Sequence, residues 1–287
     1  MHFQDQVNDL RSGLLASPVI DRGSWQSQKI VDDMRRMHEL RHITVRFNIP
    51  ELPHDLISLV GPNLPWAEDH FQERVSGKPL NPPPSAEWWP YAQKNNTEFK
   101  SAEKFSHTYP ERFWPRFANV GQTRPNGREV YVPHNGIRFE YGDLGDLVDQ
   151  LVENPYTRQA YLPVWFPEDL TAAREGQRVP CTLGYHFLGT SDPEVPANRM
   201  DITYFIRSCD FVRHFKDDVY MAARLCQWVV SHLNDQALDQ GDDPWVPGEM
   251  VMRVGSLHCF VGDRAVLQHQ EREAAQAKYQ RVLGALG

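Results

Sequence analysis

The chain has 287 residues, of which 40% are hydrophobic, and it carries a formal net charge of -8. This length and apolar content can build a large core without disulfides or a structural metal, so a globular enzyme is permitted. The acidic balance excludes a broad basic surface for polymeric nucleic acid, and any phosphate must be bound by a few arginines in a pocket.

The longest apolar stretches, such as Ala222 to Val230, are short and interrupted by polar residues, so none is expected to span a membrane. The first residues, MHFQDQVNDL, lack the apolar core of a secretory signal. The cysteines are widely spaced and have no zinc-ligand pattern. We therefore expect a cytoplasmic protein with free thiols, no bound metal and no membrane contact. The four cysteines are Cys181, Cys209, Cys226 and Cys259.

In the N-terminal half, IVDDMRRMHEL predicts a helix that places Ile30, Met34 and Met37 on one face. The proline-rich run KPLNPPPSAEWW then interrupts regular structure near 76–90. We interpret it as a surface insertion in a single domain that spans 1–287. Next, DLGDLVDQLV predicts a helix from Asp143 to Val152, which the following Asn-Pro ends.

In the C-terminal half, four runs are typical of strands: QAYLPVWF, VPCTLGYHF, MDITYFIRS and EMVMRVGSLHCFV. The third alternates Met200, Ile202, Tyr204 and Ile206 with polar or exposed-type residues. Apolar residues at helical spacing predict a helix from Asp217 to Leu233, and a polar helix is predicted for the segment from Leu267 to Leu286. The fold class is therefore α+β.

Five of these segments carry a resemblance by their order. They are PYTRQAYLPVWFPEDL, RVPCTL, YFIRSCDF, KDDVYMAARL and VGSLHCF, between Tyr156 and Phe260. In this region, roughly a third of the chain, the sequence resembles the thymidylate synthase and pyrimidine-nucleotide hydroxymethylase superfamily. The N-terminal part matches loosely. The resemblance implies a thymidylate synthase-like fold, with a large mixed β-sheet flanked by helices and a homodimer formed through the sheet face.

Cys181, which follows Pro180, matches the nucleophile of that family. Carbon 5 of a pyrimidine is too weak a nucleophile to attack a one-carbon donor unless a thiolate first adds to carbon 6. A cysteine suits this addition because its thiolate is strongly nucleophilic and can later be eliminated. A lone cysteine in a strand is otherwise usually a buried small hydrophobe, and the surrounding motifs favour the catalytic interpretation.

The resemblance also assigns the phosphate ligands. Arg207 and Ser208 match the family's phosphate-binding and cysteine-side residues, and Arg158 matches an arginine that reaches the phosphate from the other subunit. Arg22, in DRGSWQ, is the candidate for the arginine of the N-terminal phosphate loop. Guanidinium groups suit bidentate contacts to phosphate. The alternative is that these arginines form ordinary surface ion pairs.

Asp210 matches an aspartate that lies near the folate pterin and the base in the family. His258 matches a histidine that hydrogen-bonds the sugar 3′-hydroxyl, although Phe260 stands where a tyrosine is usual. Tyr109 resembles a tyrosine of the family's Tyr-Gly-x-x-Trp segment, with the glycine absent here.

The general acid/base glutamate of the family precedes a tryptophan-rich segment. Glu87, in AEWWPYA, is the candidate, with Glu98 and Glu103 as alternatives. A glutamate in a proline-rich loop is otherwise more often simply solvated.

Eight residues after Asp210, at the position that reads the pyrimidine edge, thymidylate synthases place an asparagine and this chain has Asp218. Family members that use cytosine nucleotides also have aspartate. A carboxylate accepts from the cytosine amino group, and a protonated carboxyl can donate to ring N3, so cytosine is favoured over uracil. The alternative is that Asp217 and Asp218 are only favourable charges at a helix N-terminus. A shift of one residue would give Asp217 the role.

Other departures concern the product. Thr182 follows the nucleophile where a histidine is usual, and the end of the sequence, QRVLGALG, does not resemble the tail that closes over folate in thymidylate synthases. Where closure is incomplete, water instead of hydride can reach the exocyclic methylene. The resemblance thus implies 5-hydroxymethylation of dCMP with 5,10-methylenetetrahydrofolate.

Such enzymes commonly serve phage DNA hypermodification, in the host cytoplasm, or nucleoside-antibiotic pathways. The alternatives are a dCMP methyltransferase, a thymidylate synthase or hydroxymethylase acting on dUMP, and a catalytically inactive nucleotide-binding or RNA-binding relative.

Overall fold

The computed structural model describes residues 2–25, 28–91, 100–101, 104–118, 120–123, 129–132, 142–174, 178–191, 197–240 and 243–286. In these ranges the chain folds as a mixed α+β structure, as the sequence predicted. The helices are α1 Phe3–Ala16, α2 Pro53–Val60, α3 Trp66–Arg74, α4 Tyr109–Phe113, α5 Leu144–Glu153, α6 Asp169–Arg174, α7 Phe215–Gln240 and α8 Arg264–Leu286.

The strands comprise six in one sheet and three short two-stranded pairs. They are β1 Val19–Ile20, β2 Ser24–Trp25, β3 Gln28–Lys29, β4 Met37–Asn48, β5 Lys100–Ser101, β6 Lys104–Phe105, β7 Val120–Thr123, β8 Glu129–Val132, β9 Tyr161–Pro163, β10 Thr182–Thr190, β11 Asn198–Asp210 and β12 Trp245–Phe260.

The large sheet has the order β1-β4-β12-β11-β10-β9. β11 and β12 pair in parallel, and the other neighbours pair antiparallel. The sheet is therefore mixed, and α7 provides the crossover between its two parallel strands. The predicted strands and the helices α5, α7 and α8 are confirmed, with ends shifted by a few residues.

The alternation predicted for β11 is also confirmed, because Met200, Ile202, Tyr204 and Ile206 are all buried. On this face the sheet packs against α7, whose apolar stripe is buried throughout. The opposite face carries Thr203, Phe205 and their neighbours, which are half-buried. The main core forms where the buried face of the sheet packs against the apolar stripe of α7. Every second residue of a strand points to that face, and the stripe of the helix recurs about every 3.6 residues.

The helix predicted around Ile30 to Leu40 is wrong. A single 3-10 turn covers Asp33–Arg35, strand β4 begins at Met37, and Met34 is 57% exposed. β4 pairs with β12 over eleven registered positions from Asn48 to Met37. These long-range hydrogen bonds outweigh a helical pattern that rests on three apolar positions.

The proline-rich segment is fastened to α3. Ser85 donates to the Glu73 carboxylate through both its backbone amide and its hydroxyl, and its carbonyl accepts from Trp66 Nε1 at 3.0 Å. His70 Nδ1 lies 3.0 Å from Ser85 Oγ. The segment is thus held against the same body as α3.

In the described part of the chain, no helix combines the length and apolar character needed to cross a membrane.

Candidate active site around Cys181

Cys181 immediately precedes β10 and is half-buried. Its carbonyl accepts a hydrogen bond from the Arg207 amide at 2.9 Å. The Arg207 guanidinium donates to the carbonyls of Pro180 (2.9 Å) and Val179 (3.1 Å), while its side chain stays largely exposed. Strand pairing therefore fixes a thiol and a guanidinium side by side.

Burial raises the pKa of the Cys181 thiol above its usual value, and the nearby negative charge of Asp218 raises it further. The positive charges of Arg207 and Arg178 act in the opposite direction. A thiolate is the reactive form, and these two arginines offset part of the increase in pKa that burial and Asp218 cause, while the thiol pKa remains raised overall. Arg178 stands three residues before Cys181 and is a contributor that the sequence did not single out.

A hydroxyl network lies next to Cys181. Thr182 Oγ1 lies 3.2 Å from the Tyr109 hydroxyl and 2.9 Å from the Tyr204 hydroxyl. Tyr204 stacks on Tyr185 with ring centroids 4.8 Å apart. Burial raises the pKa of Tyr109 to about 12, so its hydroxyl remains protonated. The structure thus brings Tyr109 to the residue that follows Cys181.

The two aspartates at the start of α7 point in different directions. Asp217 accepts from the backbone amide of Asn63 at 2.8 Å and from its side chain at 2.9 Å. Asp218 accepts instead from the Cys209 thiol at 3.6 Å, and its charge acts on Cys181 and Tyr109. Burial raises the pKa of Asp218 to about 7. Asp218 is therefore the aspartate that faces Cys181.

Asp210 and His258 occupy opposite positions on the paired ends of β11 and β12. Asp210 Oδ1 accepts from the amides of Val212 and Arg213 at 3.0 and 3.1 Å, and burial raises its pKa to about 6. His258 is 7% exposed, and burial lowers its pKa to about 4. Its Nδ1 has no hydrogen-bond partner in the described part of the chain. This buried neutral imidazole can bind a ligand hydroxyl.

Glu39, on β4, lies opposite His258 and collects hydrogen bonds from three side chains: Arg22, Arg41 and Ser256. Burial alone would raise the Glu39 pKa, but those hydrogen bonds hold it at about 2. Arg22 is thus tied into an ion pair beside His258. Ser208 pairs in register with Ser256 on the neighbouring strand.

For two predicted residues, Arg158 and Glu87, the structure describes no contact with this cluster. Arg158 is exposed in the turn before β9, where its carbonyl lies 3.1 Å from His186 Nε2. Glu87 is exposed at the end of a 3-10 turn. Glu98 and Glu103 lie outside the described residues.

The structure adds an aromatic wall that the sequence did not predict. His214 stacks on Trp89 with ring centroids 5.0 Å apart, and Trp89 also contacts Trp66 and Tyr91. The Tyr91 hydroxyl donates to the Val212 carbonyl at 3.2 Å. The end of the proline-rich segment therefore covers the turn between Asp210 and α7.

Arg74 is a second unpredicted member. It ends α3, is 3% exposed, and its guanidinium lies over the Tyr109 ring, 4.1 Å from the centroid. An arginine in the last turn of a helix is usually a solvated residue that complements the helix dipole, so the sequence carried no signal for its burial.

Neither the family models nor the curated proteins searched include a match to this chain. Function is therefore inferred from the residues gathered around Cys181.

Proposed function

We propose that the protein belongs to the thymidylate synthase and pyrimidine-nucleotide hydroxymethylase superfamily and converts dCMP to 5-hydroxymethyl-dCMP. The observation that carries the proposal is the grouping of Cys181, Arg207 and Asp218 at the ends of β10, β11 and α7. A half-buried thiol beside two arginines and facing a carboxyl group of raised pKa suits nucleophilic addition to a pyrimidine.

In this reaction the Cys181 thiolate adds to carbon 6 and makes carbon 5 nucleophilic. Carbon 5 would bond to the one-carbon unit and lose its proton, and cleavage of the bond between that unit and the folate nitrogen would release tetrahydrofolate. Water would then add to the exocyclic methylene as the thiolate leaves carbon 6. The balance is dCMP, methylenetetrahydrofolate and one water giving 5-hydroxymethyl-dCMP and tetrahydrofolate. Arg207 and Arg178 stabilise the thiolate, and Asp218 accepts from the base amino group.

The remaining residues position the nucleotide. His258 offers to the sugar hydroxyl a buried Nδ1 that has no partner among the described residues, with Asp210 on the adjacent strand. Arg207 and Ser208 would bind the phosphate, with Arg22 nearby. Arg158 would act on the phosphate of the partner subunit in a homodimer formed through the exposed sheet face.

5,10-Methylenetetrahydrofolate would supply a one-carbon unit at the oxidation level of formaldehyde. The chain has groups that suit its flat rings: Trp89 stacks on His214, and its buried Nε1 has no partner among the described residues. Both backbone donors to Asp210 go to Oδ1, and Oδ2, which lies 3.7 Å from Arg213 Nε, would accept from the amino and N–H groups of a pterin. These residues would hold the folate and exclude water from its ring.

The competing functions share the thiolate but differ in base or in the final step. The test is to incubate the protein with methylenetetrahydrofolate and each of dCMP, CMP and dUMP, and to weigh the products by mass spectrometry. A gain of one formaldehyde unit on dCMP, absent with Cys181→Ser, supports the proposal. A methyl gain identifies a methyltransferase, and product from dUMP alone overturns the cytosine assignment.

An inactive nucleotide-binding relative is separated by trapping. A 5-fluoropyrimidine nucleotide blocks the loss from carbon 5, so an active thiol stays covalently attached in the presence of folate. An adduct on the peptide that contains Cys181 is expected. Nucleotide binding without any adduct would favour the inactive relative.

A further inference from the structure

Arg74 is a buried cation for which the described residues provide no ion-pair partner. Its residue is 3% exposed, its Nε is fully enclosed without a hydrogen bond, and no carboxylate of the described residues lies within ion-pair distance of its guanidinium. Its contact is with the face of Tyr109, at 4.1 Å. A buried guanidinium without an ion pair is costly, and the Nε of Arg74 has no acceptor among the described residues, so its retention indicates a missing acceptor.

An arginine on α7 that contacts α3 provides a comparison. Arg224 is also largely buried, but it donates to both carboxylate oxygens of Glu68 at 3.0 and 3.1 Å and contacts the Phe71 ring. The fold therefore supplies a carboxylate partner for the buried charge of Arg224. The described residues supply none for Arg74, at the end of α3.

The surroundings of Arg74 identify where its acceptor would lie. Tyr109, under the guanidinium, shares a hydrogen bond with Thr182, which follows Cys181. The charge of Arg74 also acts on Asp218 and on His214. The cation thus lies on the side of the site where the base is expected. It does not lie on the side of Arg207, where the phosphate is expected.

We propose that Arg74 is a specificity-determining residue that donates hydrogen bonds to an acceptor atom of the pyrimidine ring, next to the group that Asp218 binds. This inference rests on the proposed function. A guanidinium beside a carboxylate forms a donor–acceptor pair, which matches the adjacent acceptor and amino donor on the edge of cytosine. With Arg74 as donor, Asp218 can bind the base in its ionised form.

The experiment measures binding by calorimetry of dCMP and of 2-deoxyribose 5-phosphate, which lacks the base, to wild type, Arg74→Met, Arg74→Lys and Arg224→Met. Arg74→Met should weaken dCMP binding about 10- to 100-fold, the range for a hydrogen bond to a charged group. Binding of the sugar phosphate should not change. Arg74→Lys keeps the charge but lacks the planar fork, and should recover only part of the affinity.

Thermal unfolding without ligand gives an independent measurement. Removing an unpaired buried cation should raise the Tm of Arg74→Met by about 2 to 4 °C, whereas Arg224→Met should lower it because Glu68 loses its partner. A purely structural role for Arg74 predicts the opposite sign for the first variant.

The outcomes are separable from those of the proposed function. If wild type binds neither dCMP nor dUMP, the proposed function fails. If wild type binds dCMP, three results for Arg74→Met would overturn the role of Arg74 in reading the base. They are dCMP binding as tight as that of wild type, an equal loss of affinity for dCMP and for the sugar phosphate, and failure to fold.

Discussion

The backbone amide of Arg207 donates to the carbonyl of Cys181 at 2.9 Å, so the pairing of β10 with β11 fixes Arg207 next to Cys181. The side chain of Arg207 then turns back to the carbonyls of Pro180 and Val179. The guanidinium is held by these two backbone carbonyls and needs no carboxylate partner to stay in place. Its charge is therefore available to a thiolate or a phosphate.

Replacing Arg207 should slow alkylation of Cys181. Iodoacetamide should modify Cys181 first in the native protein, because Cys209, Cys226 and Cys259 are buried. Arg207→Gln removes a charge that lowers the thiol pKa, so the thiolate fraction and the rate at pH 8 should fall about 3- to 10-fold. Intact-mass kinetics measure the rate.

The matched control is Arg253→Gln, which changes an exposed arginine on the neighbouring strand β12. Its alkylation rate should equal that of wild type. Equal rates for both variants would show that the charge of Arg207 does not reach the thiol.

Asp218→Asn should change the preferred base. An amide offers both a donor and an acceptor, which suits the carbonyl and N–H of uracil, whereas the carboxylate suits the cytosine amino group. The ratio of dCMP to dUMP affinity, measured by calorimetry, should fall about 10- to 100-fold. Asp217→Asn should keep the preference of wild type and lower stability, because Asp217 binds Asn63. A changed preference in Asp217→Asn instead would exchange the two roles.

His214 should make the fold sensitive to acid. Burial and then the positive charges of His258, Arg178 and Arg213 lower the His214 pKa to about 3, well below its ordinary 6.5. Between pH 6.5 and 3 the unfolded chain therefore binds this proton and the folded chain does not. The contribution of His214 to stability falls by about 1.4 kcal/mol per pH unit on acidification through this window. His214→Phe keeps a ring against Trp89 and removes the titration.

Urea unfolding of both proteins between pH 7 and 4.5 measures this difference. The stability of wild type relative to His214→Phe should decline as the pH falls. Asp210→Asn should show the opposite sign, because the Asp210 pKa is raised to about 6 and wild type gains stability as this carboxylate is protonated. Parallel curves for wild type and His214→Phe would contradict the prediction.

The ion pair of Arg112 with Asp169 should be a main support of the region before Cys181. The two side chains are fully buried and form two hydrogen bonds of 2.8 and 2.9 Å between α4 and α6. Arg112→Ala leaves a buried carboxylate unpaired and should lower the free energy of unfolding by about 3 to 5 kcal/mol. Arg116→Ala removes an exposed partner of Asp146 and should have a much smaller effect in the same urea titration.

The exposed face of the sheet should form the homodimer. Phe205 is half-buried there, with its ring centroid 6.4 Å from that of Tyr161. Light scattering after size exclusion should give twice the 33.2 kDa chain mass for wild type and the single mass for Phe205→Arg, since a charge at the centre of an interface is costly. Val31→Arg, at an 88% exposed position, should remain dimeric. A monomeric wild type would remove the role proposed for Arg158.

The long periodic patterns of the sequence predict three elements: β11 with its buried Met200 and Tyr204, the helix α7, and the strand β12. Local patterning decides these because one face of each must be buried. The sequence also predicted the short segments that carry Cys181, Arg207 and Asp218, since residues next to a strand end or a helix start keep their place when the element forms.

Tertiary structure decided what depends on distant contacts. Pairing with β12 makes the segment after Met37 a strand. Asp217 binds Asn63, so Asp218 is the aspartate that faces Cys181. Packing of α3 against α4 buried Arg74 over Tyr109, which nothing in the neighbouring residues indicates. Burial and charge compensation are properties of atoms brought together from far along the chain, so local sequence does not specify them.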